Sequence, residues 1–325
     1  VLFGPVESGA SLTLRCVGGF DRADEGRVLV NDEILFDAAS GLSLPPQRRR
    51  CGWISPAHPL FPHMRLREDL TFAARRRRAL DRNRAVNEAM ERYGLAEFAG
   101  RRPGEMEEGV RRRGLIARAV LSGPRILLIE EPGQGLAAQV RYEVYDSLRQ
   151  ARSELGAPAL LRTNDLDEAF LLGDEMLVFH RGRILQHGAP RDIVDHPASL
   201  DVARLLGFHN LVQAEIRTLD PSSNQSELRF EQHTVRGPYF PGRLRGDRVW
   251  LCVRPDQLTA MPRNGAAPAS SQIAAFLQRV VERPEFVELS FSGGLVVHMR
   301  RHEFHPHRDN KEWLIEFPPQ ALRIL

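Results

Sequence analysis

Apolar positions recur along this chain in two different rhythms. Up to residue 206, short apolar runs alternate with stretches of helical period; beyond it the period drops to two. Val1–Phe3 reads as a strand running into a glycine loop, and Leu12–Val17 as a helix. A hairpin through Gly26–Phe36 follows, then a strand at Arg48–Ile54 and an irregular, proline-rich passage at Pro56–Pro62. Arg65–Gly94 carries helix-period apolar residues. Arg111–Leu121 predicts another helix, and the continuous run Pro124–Ile129 a strand buried on both faces. Tyr142–Leu155 and Leu166–Leu172 predict helices around a strand at Ala159–Thr163. Met176–His180 and Arg183–Gln186 predict two strands about a turn at Arg181-Gly182. Such alternation implies an α/β domain with a largely parallel sheet. After residue 206 come short alternating strands: Leu211–Arg217, Glu227–Phe230, Val249–Arg254, Phe286–Phe291, Leu295–Met299 and Trp313–Phe317, with a Pro/Ala/Ser-rich loop at Met261–Ser271. They predict a small β-barrel, and hence domains at 1–206 and 207–325.

Composition narrows the class. The chain has 325 residues, 42% hydrophobic and 27% charged, as in a soluble globular protein. A net charge of +3 gives no case for nucleic acid. The run Arg75–Arg78 reads as a solvated helix face rather than a nucleic-acid site. Cys16, Cys51 and Cys252 fit neither a disulfide framework nor a zinc site, which points to a reducing compartment. No apolar run has the length of a membrane span and no signal peptide is evident. The chain starts on Val1 inside an apparent strand, so it reads as clipped at its N-terminus.

The first candidate chemistry lies in Gly4-Pro5-Val6-Glu7-Ser8-Gly9-Ala10-Ser11-Leu12. A phosphate-cradling P-loop reads G-x-x-x-x-G-K-[ST]. Gly4, Gly9 and Ser11 keep their places, but Ala10 stands where the lysine belongs, and the only lysine in the chain is Lys311. Glu7 adds a negative charge to a loop that should wrap phosphates. At about 6 Å and an effective dielectric near 20 it would repel each unit of phosphate charge by roughly 3 kcal/mol, an unscreened figure.

Further landmarks follow in order. Leu44-Pro45-Pro46-Gln47-Arg48-Arg49-Arg50 and Leu60-Phe61-Pro62-His63-Met64 flank Ser55. Pro103-Gly104-Glu105 precedes Met106-Glu107-Glu108-Gly109-Val110, and Ala117-Arg118-Ala119 comes after it. Ile126–Ile129 leads into Glu130-Glu131-Pro132, and Thr163-Asn164-Asp165-Leu166-Asp167-Glu168-Ala169 lies beyond. Gly207-Phe208-His209-Asn210-Leu211 and Val253-Arg254-Pro255-Asp256 mark the barrel. This ordered set resembles the ATP-binding subunits of ABC importers, most of all the molybdate/sulfate group with its C-terminal TOBE-type barrel. The likeness covers essentially the whole chain.

That resemblance implies an ABC-type P-loop NTPase domain with a helical subdomain, using ATP and magnesium. Gly4 through Leu12 would hold the nucleotide, and Ser11, Ser55 and Glu130 the metal. Glu131 would be the general base and Asn164 would occupy the switch position. Met106, Glu107, Glu108, Gly109 and Val110 would be the signature offered to a partner subunit. Leu60, Phe61, Pro62, His63 and Met64 would dock on a transmembrane permease. The resemblance places the protein at the cytoplasmic face of the cell membrane, as a peripheral homodimer or heterodimer. Molybdate is the cargo suggested by Leu35-Phe36-Asp37 and the Leu44–Arg50 run, a pattern that sulfate, polyamine and iron importers share in part.

The departures from the family fall on the reacting positions. Besides Ala10 and Glu7, Ser55 replaces the glutamine of its loop, and Met106–Val110 replaces Leu-Ser-Gly-Gly-Gln. Glu130 replaces the metal-fixing aspartate, Gln134-Gly135-Leu136-Ala137 lacks another aspartate, and Asn164 replaces the switch histidine. Glu107 and Glu108 suit a helix N-terminus and read as a structural cap there. Phosphoryl transfer rests on positioning and electrostatics, so these changes predict a pseudo-ATPase. The alternatives are an energising ATPase with unusual motifs and a non-catalytic permease-binding regulator. In the barrel, His298, His302, His305 and His307, with Glu303 and Asp309, form a loose cluster that reads as a solvated loop sooner than a metal site.

Overall fold

The continuous apolar run at Ile126–Ile129 lies in the middle of a sheet, buried along its length. The computed structural model describes residues 1–269 and 271–325, which divide into two units, Val1–Ile193 and Val194–Leu325.

In the first unit the order is β1 (Leu2–Phe3), α1 (Ala10–Gly18), β2 (Arg27–Val30), β3 (Glu33–Asp37), β4 (Leu42–Ser43), α2 (Pro46–Arg49) and β5 (Cys51–Ile54). Then come α3 (Leu66–Ala73), α4 (Ala79–Arg92), α5 (Glu108–Leu121), β6 (Ile126–Glu130), α6 (Ala138–Leu155), β7 (Ala159–Thr163), α7 (Leu166–Leu172), β8 (Met176–His180) and β9 (Arg183–Gly188). The six-stranded sheet runs β5-β6-β7-β1-β8-β9. All neighbours pair in parallel except β8 and β9, which form an antiparallel hairpin. Crossover helices bury such a sheet on both faces. One apolar cluster gathers Ala10, Leu14, Leu35 and Leu128; another gathers Leu66, Leu70, Ile116, Leu127 and Val144. The expected α/β domain with a parallel sheet is present.

Two stretches differ from their sequence reading. Arg48–Ile54 is a strand only from Cys51, because Pro45-Pro46 starts a helical turn that ends at Arg50 in a left-handed conformation. The Arg49 guanidinium, 2% exposed, donates to the carbonyls of Leu44, Cys16 and Val17 and so caps the C-terminal end of α1. Arg65–Gly94 is not one helix. It breaks between α3 and α4 in a 3₁₀ turn at Ala74–Arg76. Arg75–Arg78 sit at that break, exposed but on no continuous helix face, with Arg75 4.6 Å from the Phe72 ring centre.

A short helix α8 (Pro190–Asp195) spans the boundary, and α9 (Leu200–Leu206) opens the second unit. Beyond it lie β10 (Asn210–Asp220), β11 (Gln225–Phe230), β12 (His233–Gly237), β13 (Arg248–Val253), β14 (Thr259–Pro262) and β15 (Gln272–Glu282). The chain ends through β16 (Val287–Phe291), β17 (Val296–Met299), α10 (Arg301–Phe304), β18 (Glu312–Glu316) and β19 (Arg323–Ile324). Two five-stranded antiparallel sheets result, β12-β11-β10-β13-β19 and β14-β18-β15-β16-β17, around Phe230, Phe291, Trp313 and Phe317. This is an all-β half-barrel consistent with an OB-like domain. The expected loop Met261–Ser271 begins inside β14, and its Ser270 lies outside the described residues. The eleven-residue β15 has no counterpart in the sequence reading. It pairs with β18 through its first half and with β16 through its second, with a register shift near Leu277, so its burial alternates only over its first four residues. His298 stacks on Phe286 at 4.0 Å, and among the described residues no three His, Cys, Asp or Glu side chains converge as metal ligands would.

Candidate functional site

The glycine loop follows β1 directly and keeps the backbone form its glycines specify. Gly9 has φ 100° and caps α1, and a Cβ there would come 3.1 Å from Gly182 in the β8–β9 turn. The Gly182 N–H donates to the Ser8 carbonyl at 2.8 Å, bracing the loop. At the other end the Gly4 N–H donates to Thr163 at 3.2 Å, joining the loop to the end of β7. Glu7 takes φ 67°, a left-handed conformation that glycine adopts without strain, and its side chain is exposed. In water the 3 kcal/mol repulsion expected from sequence shrinks to about 0.7 kcal/mol at about 6 Å, before salt screening. Ala10 is wholly buried, and its N–H points to the buried Ser8 hydroxyl at 3.4 Å. Pro5, Val6 and Leu12 are exposed, and Ser11 is half-buried in the first turn of α1.

The strand ends beside this loop hold most of the other predicted positions. Ser55, just after β5 and 1% exposed, donates to Glu130 Oε2 at 3.2 Å and accepts the Ala57 N–H at 3.2 Å. Two of the three proposed metal ligands are therefore together. Glu131 has φ 43°, and its N–H donates to the Arg162 carbonyl at 2.9 Å. Its carboxylate is ion-paired with the Arg162 guanidinium, the two side chains being 15% and 5% exposed. Arg162 was not singled out from sequence. The available signal was one arginine in the otherwise apolar Ala-Leu-Leu-Arg-Thr strand, in register with Glu130 on β6.

Beyond β7, Asn164 is exposed, while Asp165 caps α7 by accepting the N–H groups of Asp167 and Glu168 and pairs with Arg141 at 3.1 Å. Glu168, also missed, is 2% exposed. It accepts the Gly133 N–H at 2.7 Å and the Tyr145 hydroxyl at 2.9 Å, tying the Gln134–Ala137 loop to α7. Burial and the neighbouring Glu168 push the Tyr145 phenol far above its usual range.

The Met106–Val110 segment opens α5, with Met106, Gly109 and Val110 buried. The expected carboxylate cap takes a different form. Glu107 occupies the cap position without a side-chain cap bond, and Glu108 pairs with Arg111 and Arg112 one turn on. Burial opposes ionisation of Glu108, yet the two arginines hold its carboxyl below the usual range.

Of the five positions expected from sequence to dock on a partner, Leu60 is buried, against Gly114 of α5, and carries the fold. Phe61 and Met64 are half-buried, and Pro62 and His63 are exposed. The Phe61 N–H donates to Asp69 at 2.7 Å. Arg118 lies 3.7 Å from Asp69, donates to the His58 and Pro59 carbonyls, and stacks on the Phe61 ring at 5.6 Å. A cavity of about 820 Å³ among Leu148, Arg152, Leu161 and Phe170 contains none of the loop residues.

Comparison with known proteins fits this geometry. The sequence profile of the family described as "ABC transporter" matches residues 1–134. The spermidine/putrescine import ATP-binding protein PotA of Nitratidesulfovibrio vulgaris is 30% identical over 295 residues, 89% of this chain and 77% of that protein. The molybdate/tungstate import ATP-binding protein WtpC of Pyrococcus horikoshii is 29% identical over 302 residues, 91% and 82% of the two chains. Among solved structures, cbiO1 from Clostridium perfringens superposes with a TM-score of 0.53 at 23% identity, over 62% of this chain and 80% of its own; that likeness shows the fold.

Proposed function

Because the chain belongs to the ATP-binding subunits of ABC importers, we propose that it docks on a transmembrane permease as a pseudo-ATPase, at the cytoplasmic face of the membrane and as a dimer. The observation that carries this reading is Ala10. Its methyl group, wholly buried beside Leu14 and Leu128, fills the place of the lysine that reaches β- and γ-phosphates. The first N–H of α1, one of four with no partner inside a helix, is directed to Ser8. Glu7 adds an exposed carboxylate to the same loop. These residues do not fit a magnesium–triphosphate group, and no phosphoryl-transfer step is assigned to them. The altered signature at Met106–Val110 and the missing switch histidine at Asn164 support the same reading.

What remains suited to a partner is the exposed part of the docking segment, Phe61, Pro62 and His63, on a backbone fixed by Asp69 and Arg118. Domains at 1–206 and 207–325, the second a TOBE-type regulatory domain, complete the reading; that family boundary leaves α8 and α9 with the first domain, whereas the fold divides between Ile193 and Val194. An oxyanion such as molybdate is the proposed cargo, on the strength of the Leu35–Asp37 and Leu44–Arg50 runs. Leu35, Phe36 and Arg49 are buried and make internal contacts, so that support is a family likeness and not a cargo contact.

The test is calorimetry of MgATP with the wild-type chain and an Ala10→Lys/Glu7→Gly variant. No binding to wild type and binding to the variant is the expected result. Micromolar binding to wild type, with turnover, would make the chain an energising ATPase instead.

A further inference from the structure

The strand ends that face the glycine loop carry two consecutive carboxylates, Glu130 and Glu131, and a single buried guanidinium between β6 and β7. Arg162 is 4% exposed and stands in register with Glu130. It grips the following residue twice, through its backbone carbonyl to the Glu131 N–H at 2.9 Å and through its guanidinium to the Glu131 carboxylate. The double grip accompanies the left-handed backbone of Glu131, φ 43°, which turns this carboxylate back toward β7. Glu130 is held separately, its Oε2 accepting from the Ser55 hydroxyl. Burial disfavours the charged guanidinium, and the fields of Glu130 and Glu168 act in the opposite sense. Adjacent, partly buried carboxylates are favoured by a nearby cation, and in this chain the cation is covalently part of the fold.

We propose that Arg162 is a resident counter-cation that replaces a divalent metal at the Glu130–Glu131 pair, making this site independent of metal and holding Glu131 as an ion-pair partner. The inference deepens the pseudo-ATPase reading and rests on it for the family role of Glu130 and Glu131. It assigns the loss of metal to one positioning residue outside every motif by which the family is recognised. A planar guanidinium always carries its charge and cannot dissociate from the site, so Glu131 keeps its counter-charge, and the pair carries one net negative charge instead of two, whatever the ionic conditions.

The experiment is thermal melting of the full-length chain without nucleotide, across a titration of magnesium or manganese, for wild type, Arg162→Leu and Arg162→Leu/Glu131→Gln. Wild type should melt at the same temperature with metal or with EDTA. Arg162→Leu, which leaves two partly buried like charges without a counter-cation, should melt lower by about 5 °C and recover saturably as metal is added. In the double variant one charge is gone, so stability should return without metal and the metal response should vanish. A saturable manganese shift in wild type would overturn the proposal, as would an Arg162→Leu variant that ignores metal. If Arg162→Leu fails to fold, Arg162→Gln takes its place, with manganese binding read by electron paramagnetic resonance. That variant should bind manganese; if it binds none, the proposal falls. No nucleotide is present, so these results stand apart from the MgATP calorimetry; a chain that hydrolyses ATP but shows this metal pattern would overturn only the pseudo-ATPase reading.

Discussion

Asp69 and Glu131 are both carboxylates removed from water beside an arginine in the N-terminal unit, but the two pairs are built to different ends. Asp69 shares its arginine. Arg118 lies 3.7 Å away and spends its strong hydrogen bonds on the His58 and Pro59 carbonyls, while Asp69 takes the Phe61 N–H. The charge pair shapes a backbone segment, and the Phe61 ring it presents stays partly open to solvent, edge-on to Phe72 at 5.6 Å. Glu131 is gripped by backbone and side chain of one residue on the next strand. At the docking segment charge organises a surface for something else; at the strand ends charge is consumed within the chain. This division is what the proposed permease-docking pseudo-ATPase predicts.

The sharpest way to break the comparison is to remove Asp69. Asp69→Ala leaves the Phe61 N–H without its acceptor and the half-buried Arg118 without its neighbouring carboxylate. A loss of about 4 kcal/mol is expected in urea denaturation. Adding Arg118→Met should recover part of it, since the unpaired cation is then gone. The pair also predicts a pH signature. Burial raises the Asp69 carboxyl above its ordinary value, against the pull of the Phe61 N–H and Arg118. The folded state therefore binds this proton more readily than the unfolded state between the ordinary value of 3.8 and the raised one. Stability of wild type relative to Asp69→Asn should rise as pH falls through that window and level off below it. A flat difference would place Asp69 in ordinary solvation.

How much of this was legible beforehand differs between the same two regions. The strands β6, β7 and β8 were legible because a parallel sheet demands continuous apolar runs. The glycine loop was legible because its left-handed turns demand glycine, and Glu7 stood out for its charge. The Arg162–Glu131 pair was not, because it depends on strand order: β6 and β7 are neighbours only once α6 has crossed between them. Glu168 was hidden for the same reason, its partners Gly133 and Tyr145 lying on other elements. Asp69 lies eight positions after Phe61 and looks like any first-turn acidic residue of α3. Distant pairing, rather than local pattern, decides where the charges go.

Glu168 gives the intermediate test, because a buried carboxylate here is satisfied by neutral donors. Tyr145→Phe removes one of them and keeps the ring. The expected loss is about 2 kcal/mol, as for a hydrogen bond to a charged acceptor, with the Gly133 bond retained. Amide hydrogen exchange at Gly133 should then stay protected. A loss as large as that of Asp69→Ala would mean that neutral and cationic partners serve buried carboxylates equally, which erases the contrast drawn above.

The smallest effect is expected at Glu7, where the backbone carries the cost. A non-glycine residue held at φ 67° is disfavoured by about 1 kcal/mol or slightly more. Glycine removes that strain but loses about 0.5–1 kcal/mol through its freer unfolded chain. Glu7→Gly should therefore stabilise the chain by about 0.5 kcal/mol, read as a shift in urea midpoint at constant slope. Because the gain comes from backbone strain and not from charge, it should not change with added salt, which would screen any repulsion at this exposed carboxylate. A gain that faded with salt would show that repulsion from neighbouring charge, and not backbone strain, is what Glu7 costs, and would restore the electrostatic weight that exposure removes from it.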